Sequence, residues 1–505
     1  MAEDKLGKEE GPSLRRAVSI WGSFTWGYAG VGADIYMALG LILFYARGAA
    51  PYALFITGLL YVLIGLIYTE LAASYPVAGG GQYYSLRGLG DFWGFVAGWA
   101  FLLDFTVDVS LFAYAAAGYF NFFFPYFQHS RWIPIVETLF LILFLMAINI
   151  RGIRESSRLN EIFCAVDIIN ESLIIIIGLL FAFKPELFMH QITREVPHMG
   201  QFLYSMTIAV VAFVGLEAIS QAAEETIRPA SIIPRTSISL TFVVLIYALA
   251  FSILGVGSLG WKPLAKHMSD PIAYLAKTLP LIGAIAGPFT AILGFTLLYA
   301  SANTGVMGYS RVSYSMSKLQ LLPRWFSGVH PRYRTPHRTI LLFSTIVVIQ
   351  LVLAGLSESA MKTLADMYAF GALASYTLVC ISHLRLRLTD PYTPRPYKIP
   401  GNINVNFKGR KVDFPILGLI AIIGTSTYFV LVLATHHWAR IFGPLWLFLG
   451  LIVYFLHRKK SNLPLFRSIT RDWVNEQIKV LKEAGEVEAL EEYLKALEGA
   501  KDETK

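Results

Sequence analysis

The sequence is poor in charge and in cysteine. Charged residues make up only 15% of the 505 residues, hydrophobic residues make up 55%, and the mean hydropathy is +0.55. This composition excludes an ordinary soluble domain, in which about a quarter of the residues are charged. The two cysteines, Cys164 and Cys380, both lie in hydrophobic segments, so they do not indicate a disulfide framework and say little about the redox compartment.

Motifs of the common catalytic sites are also missing. The chain has no glycine-rich ATP loop ending in Gly-Lys-Ser/Thr, no His-Glu-x-x-His pair and no nucleophile elbow. Its ten histidines show no metal-ligand spacing. We therefore expect no enzyme, no cofactor and no bound metal, and an ion gradient of H⁺, Na⁺ or K⁺ as the energy source.

What the sequence does contain is a series of long apolar runs. Each is long enough to cross a hydrocarbon core of about 30 Å as a helix. We predict twelve membrane spans, near residues 17–45, 51–73, 92–122, 133–150, 158–183, 201–225, 235–257, 284–316, 339–356, 361–384, 414–435 and 439–457.

Basic residues are distributed unevenly between the two sides of these spans. Most of the 42 lysines and arginines fall in the N-tail, the C-tail and the loops on the same side. The positive-inside rule then places both termini in the cytoplasm of a cell-membrane protein. The formal net charge of +8 is thus explained by topology, and we expect a small-molecule substrate and the lipid bilayer, but no nucleic acid, as partners. We see no cleavable signal peptide in residues 1–16.

Acidic residues remain inside the apolar runs, whereas the apolar cores lack lysine and arginine. The acids at apparent membrane depth are Asp34, Asp104, Asp108, Asp167, Glu171, Glu217 and Asp366. Two pairs among them are spaced i,i+4, which places each pair on one helix face. A shared proton or a bound cation would relieve their repulsion. The alternative is that each acid is protonated or hydrogen-bonded within the bundle; taken together, the set favours an interior that holds positive charge.

Three motifs resemble the amino acid–polyamine–organocation (APC) superfamily. Residues 74–84 (SYPVAGGGQYY) resemble its loop after helix two, residues 213–219 (FVGLEAI) its sixth helix, and residues 301–305 (SANTG) its eighth helix. Residues 322–324 (LPR) and 330–332 (HPR) match the following loop. The motifs occur in the family's order, and the resemblance covers residues 17–457.

The resemblance implies a fold and a domain organisation. The fold is an all-α polytopic membrane protein with twelve transmembrane helices: a five-plus-five inverted repeat plus two extra helices, with helices one and six broken at mid-membrane. Gly30 and Gly32 in segment one and Gly215 in segment six occupy corresponding places in the two halves. Residues 17–457 are then predicted to be the transporter domain and residues 1–16 a cytoplasmic N-tail. Residues 458–505 lie outside the resemblance and are predicted to be a cytoplasmic helical C-tail.

Asp34 departs from the family pattern. In relatives that carry amino acids, the glycine-rich break of helix one receives the substrate carboxylate on backbone N–H groups. Here Asp34 replaces the last glycine of that triplet, and its charge would repel a carboxylate. We interpret the departure as favouring a cationic substrate or a proton at this position. A helix-capping role for Asp34 is the structural alternative.

The candidate site residues follow from the breaks, the acids and the resemblance. The predicted substrate-binding residues are Gly30, Gly32, Ala33, Asp34, Tyr36, Asp104, Asp108, Phe213, Gly215, Glu217 and Tyr368. The predicted coupling-ion residues are Asp34, Asp167, Glu217, Ser301 and Thr304. Structural hydrogen bonds, aromatic core packing and helix–helix contacts are the alternatives. Glu70, Glu224, Glu225 and Arg311 are predicted to form ion pairs near the cytoplasmic ends.

Two stretches outside the spans are predicted to fold. Residues 261–280 are polar enough to form an extracellular lid of short helices. In the C-tail, apolar residues recur at three- and four-residue steps on both sides of Gly485, which predicts a helical hairpin.

The predicted function is secondary active transport by alternating access. The expected substrates are amino acids or related amines and organic cations, with uptake coupled to H⁺ or another cation. A potassium symporter of the same fold is the alternative. A cation channel is more distant, because a pore needs no second broken helix.

Overall fold

The computed structural model describes residues 18–77, 79–128, 130–152, 157–215, 217–221, 223–407 and 410–502. Within this part of the chain, eleven helical stretches are long and apolar enough to cross a membrane. The first, Ile20–Ser74, has 55 residues and would measure about 80 Å as one straight helix. It therefore holds the first two predicted spans, separated by a turn at Arg47, whose φ is 51°. The polytopic all-helical fold predicted from the sequence is confirmed.

The helices of the first half include both interrupted spans. In chain order they are α1 (Ile20–Val31), α2 (Asp34–Ala46), α3 (Ala50–Ser74), α4 (Gly80–Leu89), α5 (Asp91–Phe120), α6 (Pro125–Gln128), α7 (Ile133–Arg151), α8 (Ser157–Ile177), α9 (Pro185–Arg194), α10 (Met199–Ala209) and α11 (Glu217–Gln221). A π-turn at Gly178–Ala182 follows α8, and short 3-10 turns cover Arg47–Ala49 and Val210–Phe213.

The second half continues with long helices and ends in two short amphipathic ones. They are α12 (Pro229–Ser258), α13 (Trp261–Lys266), α14 (Pro271–Lys277), α15 (Gly283–Lys318), α16 (His337–Leu356), α17 (Ala360–Thr389), α18 (Ile416–Thr435), α19 (His437–Lys460), α20 (Trp473–Ala484) and α21 (Val487–Asp502), with a 3-10 turn at Arg324–Ser327. The short helices α13 and α14 occupy the predicted lid region, and Gly485 separates α20 from α21 as predicted.

Helix α5 lies at the centre of the bundle. Its most apolar window is 94% buried, against 22% for α7 and α19, and α15 and α17 both pack along it. Three of the predicted acids lie on these central helices: Asp104 and Asp108 on α5, and Asp366 on α17. Water cannot solvate them there.

One element was not predicted. Strands β1 (Asn402–Phe407) and β2 (Arg410–Pro415) form an antiparallel pair with Asn402 opposite Pro415 and Phe407 opposite Arg410. This small sheet lies between α17 and α18, outside the membrane spans, so the chain is nearly all-helical but not wholly so.

The C-terminal helices dock on the membrane domain. The Trp473 ring contacts the Tyr83 ring at 5.9 Å, and the Arg87 guanidinium lies 5.5 Å from the Trp473 ring. The Gln477 amide donates to the carbonyl of Ser74 at 2.9 Å. The tail thus covers the loop between α3 and α4, the region of the first family-like motif.

Candidate functional site

The interruptions of the first and sixth spans meet in the middle of the bundle. Helix α1 ends where the Gly32 N–H donates to the Tyr28 carbonyl at 2.7 Å, and α2 begins at Asp34. In the sixth span, Val214 is extended and Gly215 has φ +116°, a conformation that favours glycine. A β-carbon added at Gly30 would lie 3.1 Å from the Gly215 carbonyl oxygen. The predicted breaks are confirmed, although Gly30 itself is still helical.

A small cavity lies against both breaks. Its lining residues come from the first, third, sixth, eighth and tenth spans: Trp26, Gly30, Phe105, Asp108, Gly215, Glu217, Ala218, Gln221, Thr304, Met307, Arg311 and Tyr368. The free volume is about 20 Å³, which is room for a single water. The site is therefore closed in this conformation, and a larger ligand requires the broken helices to move.

Two buried carboxyl groups, those of Asp108 and Glu217, line this cavity, and those of Asp34 and Asp104 lie near them. Asp34 is 0% exposed and Asp104 is 1% exposed, and Asp108 and Glu217 are also buried. Asp104, Asp108 and Glu217 all lie close enough to act electrostatically on Asp34. Among the described residues, none of the four forms an ion pair with lysine, arginine or histidine.

Most of the oxygens in this carboxyl cluster have no hydrogen-bond partner among the residues that the structure describes. They are both Oδ atoms of Asp34, both Oδ atoms of Asp104, and Oδ1 of Asp108. The Val214 backbone lies beside Asp34, but outside hydrogen-bond geometry. Asp34 therefore does not cap its own broken helix by a side-chain hydrogen bond. Buried acceptors without donors are costly, so this cluster is suited to a ligand that brings donors or positive charge.

Glu217 is held differently from the other three acids. The Tyr376 hydroxyl donates to Glu217 Oε2 at 2.7 Å and accepts the Gly215 N–H at 3.2 Å. One phenol thus joins the first residue of α11 to the break itself and ties both to α17. No sequence pattern distinguishes Tyr376 from the other 25 tyrosines, so its place at the site could not be predicted.

A second acidic cluster lies on α8. Asp167 accepts hydrogen bonds from the Tyr28 and Tyr36 hydroxyls at 2.6 and 2.5 Å, and Glu171 Oε2 lies 3.0 Å from the same Tyr28 hydroxyl. The predicted shared face of Asp167 and Glu171 is confirmed. Because the Tyr28 hydroxyl has only one proton, it can donate to only one of the two acids. A proton on the other carboxyl would complete both contacts.

The remaining predicted residues fall in different places. Ala33 lies in the break before α2, Tyr36 belongs to the α8 cluster, and Phe213 stacks on Tyr61 at 4.9 Å. Thr304 lines the cavity and donates to the Ser301 carbonyl at 2.7 Å, while the buried Ser301 hydroxyl has no partner. Within the described part of the chain, neither residue hydrogen-bonds to Asp167, and their role as ion ligands stays a prediction.

Arg311, which lines the cavity, forms an ion pair and contacts an aromatic ring. Arg311 Nη2 lies 3.0 Å from Glu225, and its guanidinium lies 5.4 Å from the Trp26 ring centre. The sequence predicts the ion-pairing of Arg311 and Glu225, but not that Arg311 lines the cavity. Phe105 and Met307 were not predicted, because they carry no chemical signal beyond an apolar side chain.

Comparison with known proteins agrees with this architecture. The family model described as amino acid permease matches residues 19–456. The methylthioribose transporter of Bacillus subtilis is 27% identical over 86% of this chain and 91% of its own length. The branched-chain amino acid permease BcaP of Bacillus subtilis is 26% identical, with 89% and 94% covered. Cationic amino acid transporter 4 of Mus musculus is 26% identical, with 76% and 61% covered.

The chain therefore belongs to the amino acid permease family of the APC superfamily. It is a multi-pass membrane protein, and its relatives are transporters of amino acids or related compounds.

Proposed function

We propose that this permease carries an amine or another organic cation by alternating access, in symport with protons. The observation that supports the proposal is the cluster of buried carboxyl oxygens at the two helix breaks, which lacks any basic partner among the described residues. An ionised carboxylate in such a place costs several kcal/mol unless a cation accompanies it. A substrate ammonium group supplies both the charge and the N–H donors.

The position of Asp34 argues against an ordinary neutral amino acid. Its carboxylate occupies the break where relatives present bare backbone N–H groups, and a substrate carboxylate placed there would meet a like charge. A substrate that lacks a carboxylate, or whose extra amine pairs with Asp34, avoids this repulsion. Residues Gly32 and Ala33 would then frame the amine rather than a carboxylate.

Coupling is proposed to use the α8 cluster. Asp167 and Glu171 share the Tyr28 hydroxyl, and Tyr28 and Tyr36 lie on the two halves of the broken first span. Movement of either half would change which acid receives the phenol proton. Protonation of this cluster would thus be linked to the opening of the cavity, with Asp34 and Glu217 exchanging protons on the substrate side. We also propose that the termini lie in the cytoplasm of the cell membrane, on the evidence of the basic loops.

A thiosugar is the second candidate substrate. The relative named methylthioribose transporter covers most of this chain, and unpartnered carboxylate oxygens also accept hydrogen bonds from hydroxyl groups. Such a substrate would need the acids as acceptors but no charge neutralisation. Potassium remains the inorganic alternative, because carboxylate oxygens are suitable ligands for it.

Uptake into proteoliposomes separates these candidates. Purified protein would be tested with labelled cadaverine, lysine, leucine, methylthioribose and Rb⁺, under imposed pH and Na⁺ gradients. We expect cadaverine or lysine to accumulate in response to an inward proton gradient. Accumulation of only leucine, methylthioribose or Rb⁺ would overturn the cation proposal, and uptake that ignores both gradients would overturn coupling.

Variants of Asp34 sharpen the test. Asp34→Gly restores the family's glycine and should shift selectivity from amines toward neutral amino acids. Asp34→Asn should weaken amine binding by roughly 1–3 kcal/mol, since one charge-assisted contact is lost. Asp413→Asn, at an exposed ion pair far along the chain, is the matched control. An unchanged ratio of cadaverine to leucine binding in both Asp34 variants would contradict the proposed role.

A further inference from the structure

A second, larger cavity lies on the lipid-facing side of the bundle. It is a groove of about 370 Å³ between α16, α17 and α19, with α5 as its floor. Its walls include Ile349, Leu353, Trp438, Phe442 and Leu445. Leu353 and Leu445 remain 48% and 47% exposed, so the groove opens sideways. It is separate from the carboxyl cavity and shares no lining residue with it.

The length of the groove corresponds to one leaflet of a bilayer. Along α19 it runs from Trp438 to Leu449, and along α16 from Ile346 to Leu356. At 1.5 Å per helical residue, the two distances are about 15–17 Å. This is half of the roughly 30 Å hydrocarbon core, which is the depth that one acyl chain occupies.

One end of the groove is polar and basic. Ser357 and Thr363 line it, and their hydroxyls are hydrogen-bonded to each other at 2.7 Å. The Arg131 guanidinium donates to the carbonyls of Gly355 and Ser357 at 3.0 and 2.9 Å. These two bonds fix the guanidinium beside the groove, while its Nη1 has no partner within the described part of the chain.

The position of this end matches a membrane interface. Trp438 is the second residue of α19, and Trp132 lies beside Arg131, whose guanidinium is 5.7 Å from the indole centre. Tryptophan is enriched at the level of lipid headgroups. The basic end therefore lies at headgroup depth, on the side of the membrane opposite α20 and α21.

We propose that this groove binds one acyl chain of a phospholipid, with the lipid phosphate on Arg131. The apolar walls hold the chain by van der Waals packing, because the chain is already in an apolar environment in the surrounding bilayer. The free Nη1 and the positive charge complement a phosphate diester, which guanidinium groups bind well. A lipid without phosphate would fill the groove but would not use Arg131.

Native mass spectrometry of the full-length protein tests this site. The delipidated protein would be titrated with phosphatidylglycerol and with diacylglycerol of the same chains. We expect phosphatidylglycerol to bind roughly tenfold more tightly, and Arg131→Gln to abolish that difference. Equal retention of the two lipids by the wild-type protein would overturn the phosphate contact.

Groove-filling variants test the acyl-chain site independently of Arg131. Leu445→Trp and Leu353→Trp should each lower retention of both lipids at least threefold. Ile423→Trp, an equally large change at a lipid-exposed position of α18 that does not line the groove, should leave retention unchanged. Thermal unfolding midpoints of all three variants would show that they are folded. If Leu445→Trp instead dissociates a dimer and no lipid is retained by the wild type, the groove is a self-association surface and the proposal is wrong.

Discussion

Two sets of buried acids in this protein differ in their partners rather than in their burial. Glu70 and Asp91, near the end of the bundle where the C-terminal helices dock, are each 1% exposed, as Asp104 is. Glu70 lies 2.6 Å from Arg387 and 3.1 Å from His383, and it also accepts the Ile399 N–H. Asp91 pairs with Arg458 at 2.5 Å and with Arg471. In the described part of the chain, Asp34 and Asp104 have no such partners.

The difference in partners distinguishes acids that hold the fold together from acids proposed to bind a ligand. A buried acid that is surrounded by cations joins chain segments, and Glu70 and Asp91 each join segments more than 300 residues apart. A buried acid without partners contributes little to folding and costs desolvation energy. On the proposed function, the central acids serve the ligand that binds beside them, whereas the ion pairs of the peripheral acids hold one end of the bundle together.

The largest expected effect is on folding stability, from isosteric amide substitutions in the two regions. Glu70→Gln leaves Arg387 and His383 buried without their carboxylate and should lower the free energy of unfolding by about 3–5 kcal/mol. Asp104→Asn removes an unpaired charge and should leave stability unchanged or raise it. Chemical unfolding in detergent, followed by tryptophan fluorescence, measures both. Similar losses in the two variants would show that the central acids are also structural.

In ligand binding, the same two variants should rank the other way: Asp104→Asn should lose more affinity than Glu70→Gln. Asp104→Asn should weaken binding of a labelled amine by roughly 1–3 kcal/mol, because one buried acceptor of charge is lost. Folded Glu70→Gln, stabilised by low temperature, should bind with near wild-type affinity. Scintillation proximity binding with cadaverine decides this. A weaker amine affinity in Glu70→Gln alone would reverse the assignment of the two regions.

Tyr376 gives one of the central acids a partner, because its hydroxyl donates a hydrogen bond to Glu217. Tyr376→Phe removes its bonds to Glu217 and to the Gly215 N–H and should destabilise the fold by about 1–2 kcal/mol. The transport rate should fall by more than this loss of stability explains, because the break of the sixth span is no longer hydrogen-bonded to α17. Tyr309→Phe, which removes one buried bond to Ser344, is the control. Equal transport by both phenylalanine variants would exclude a special role for Tyr376.

The smallest effect is expected at an exposed ion pair. Lys398 donates to Asp413 at 2.7 Å, and this hydrogen bond holds the pKa of Asp413 below its ordinary value of 3.8. A lowered folded pKa means that the pair stabilises the protein above pH 4 and that this contribution disappears as the pH falls through the folded pKa. The difference in unfolding midpoint between wild type and Asp413→Asn should be small at pH 7 and should shrink further as the pH falls below 3.8. A difference that grows on acidification would contradict this assignment.

Much of the site was accessible from local sequence. The run at residues 30–36 predicted the break of the first span, and the glycine at 215 predicted that of the sixth. The four-residue spacing of Asp167 and Glu171 predicted their shared helix face, which the Tyr28 contacts confirm. The strands at 402–407 and 410–415 carried a weak two-residue alternation that was not recognised beside the much longer apolar runs.

The partners of each acid could not be predicted in this way. Tyr376 meets Glu217 across 159 residues, and Arg387 meets Glu70 across 317. The sequence marked both Glu70 and Asp104 as acids near or within the membrane spans, but no local pattern told which would meet a cation. The distinction on which the proposed site depends therefore came from the structure.

By itself, the sequence determined the helices, their membrane-crossing length, the two breaks and the presence of acids at depth, because apolar periodicity, glycine and charge act over a few neighbouring residues. Tertiary structure alone decided which acids are paired, which oxygens face the cavity, and which apolar faces remain open to lipid. These properties depend on how helices distant in the chain pack together, and burial gives a carboxyl group its cost or its use only after that packing has chosen its neighbours.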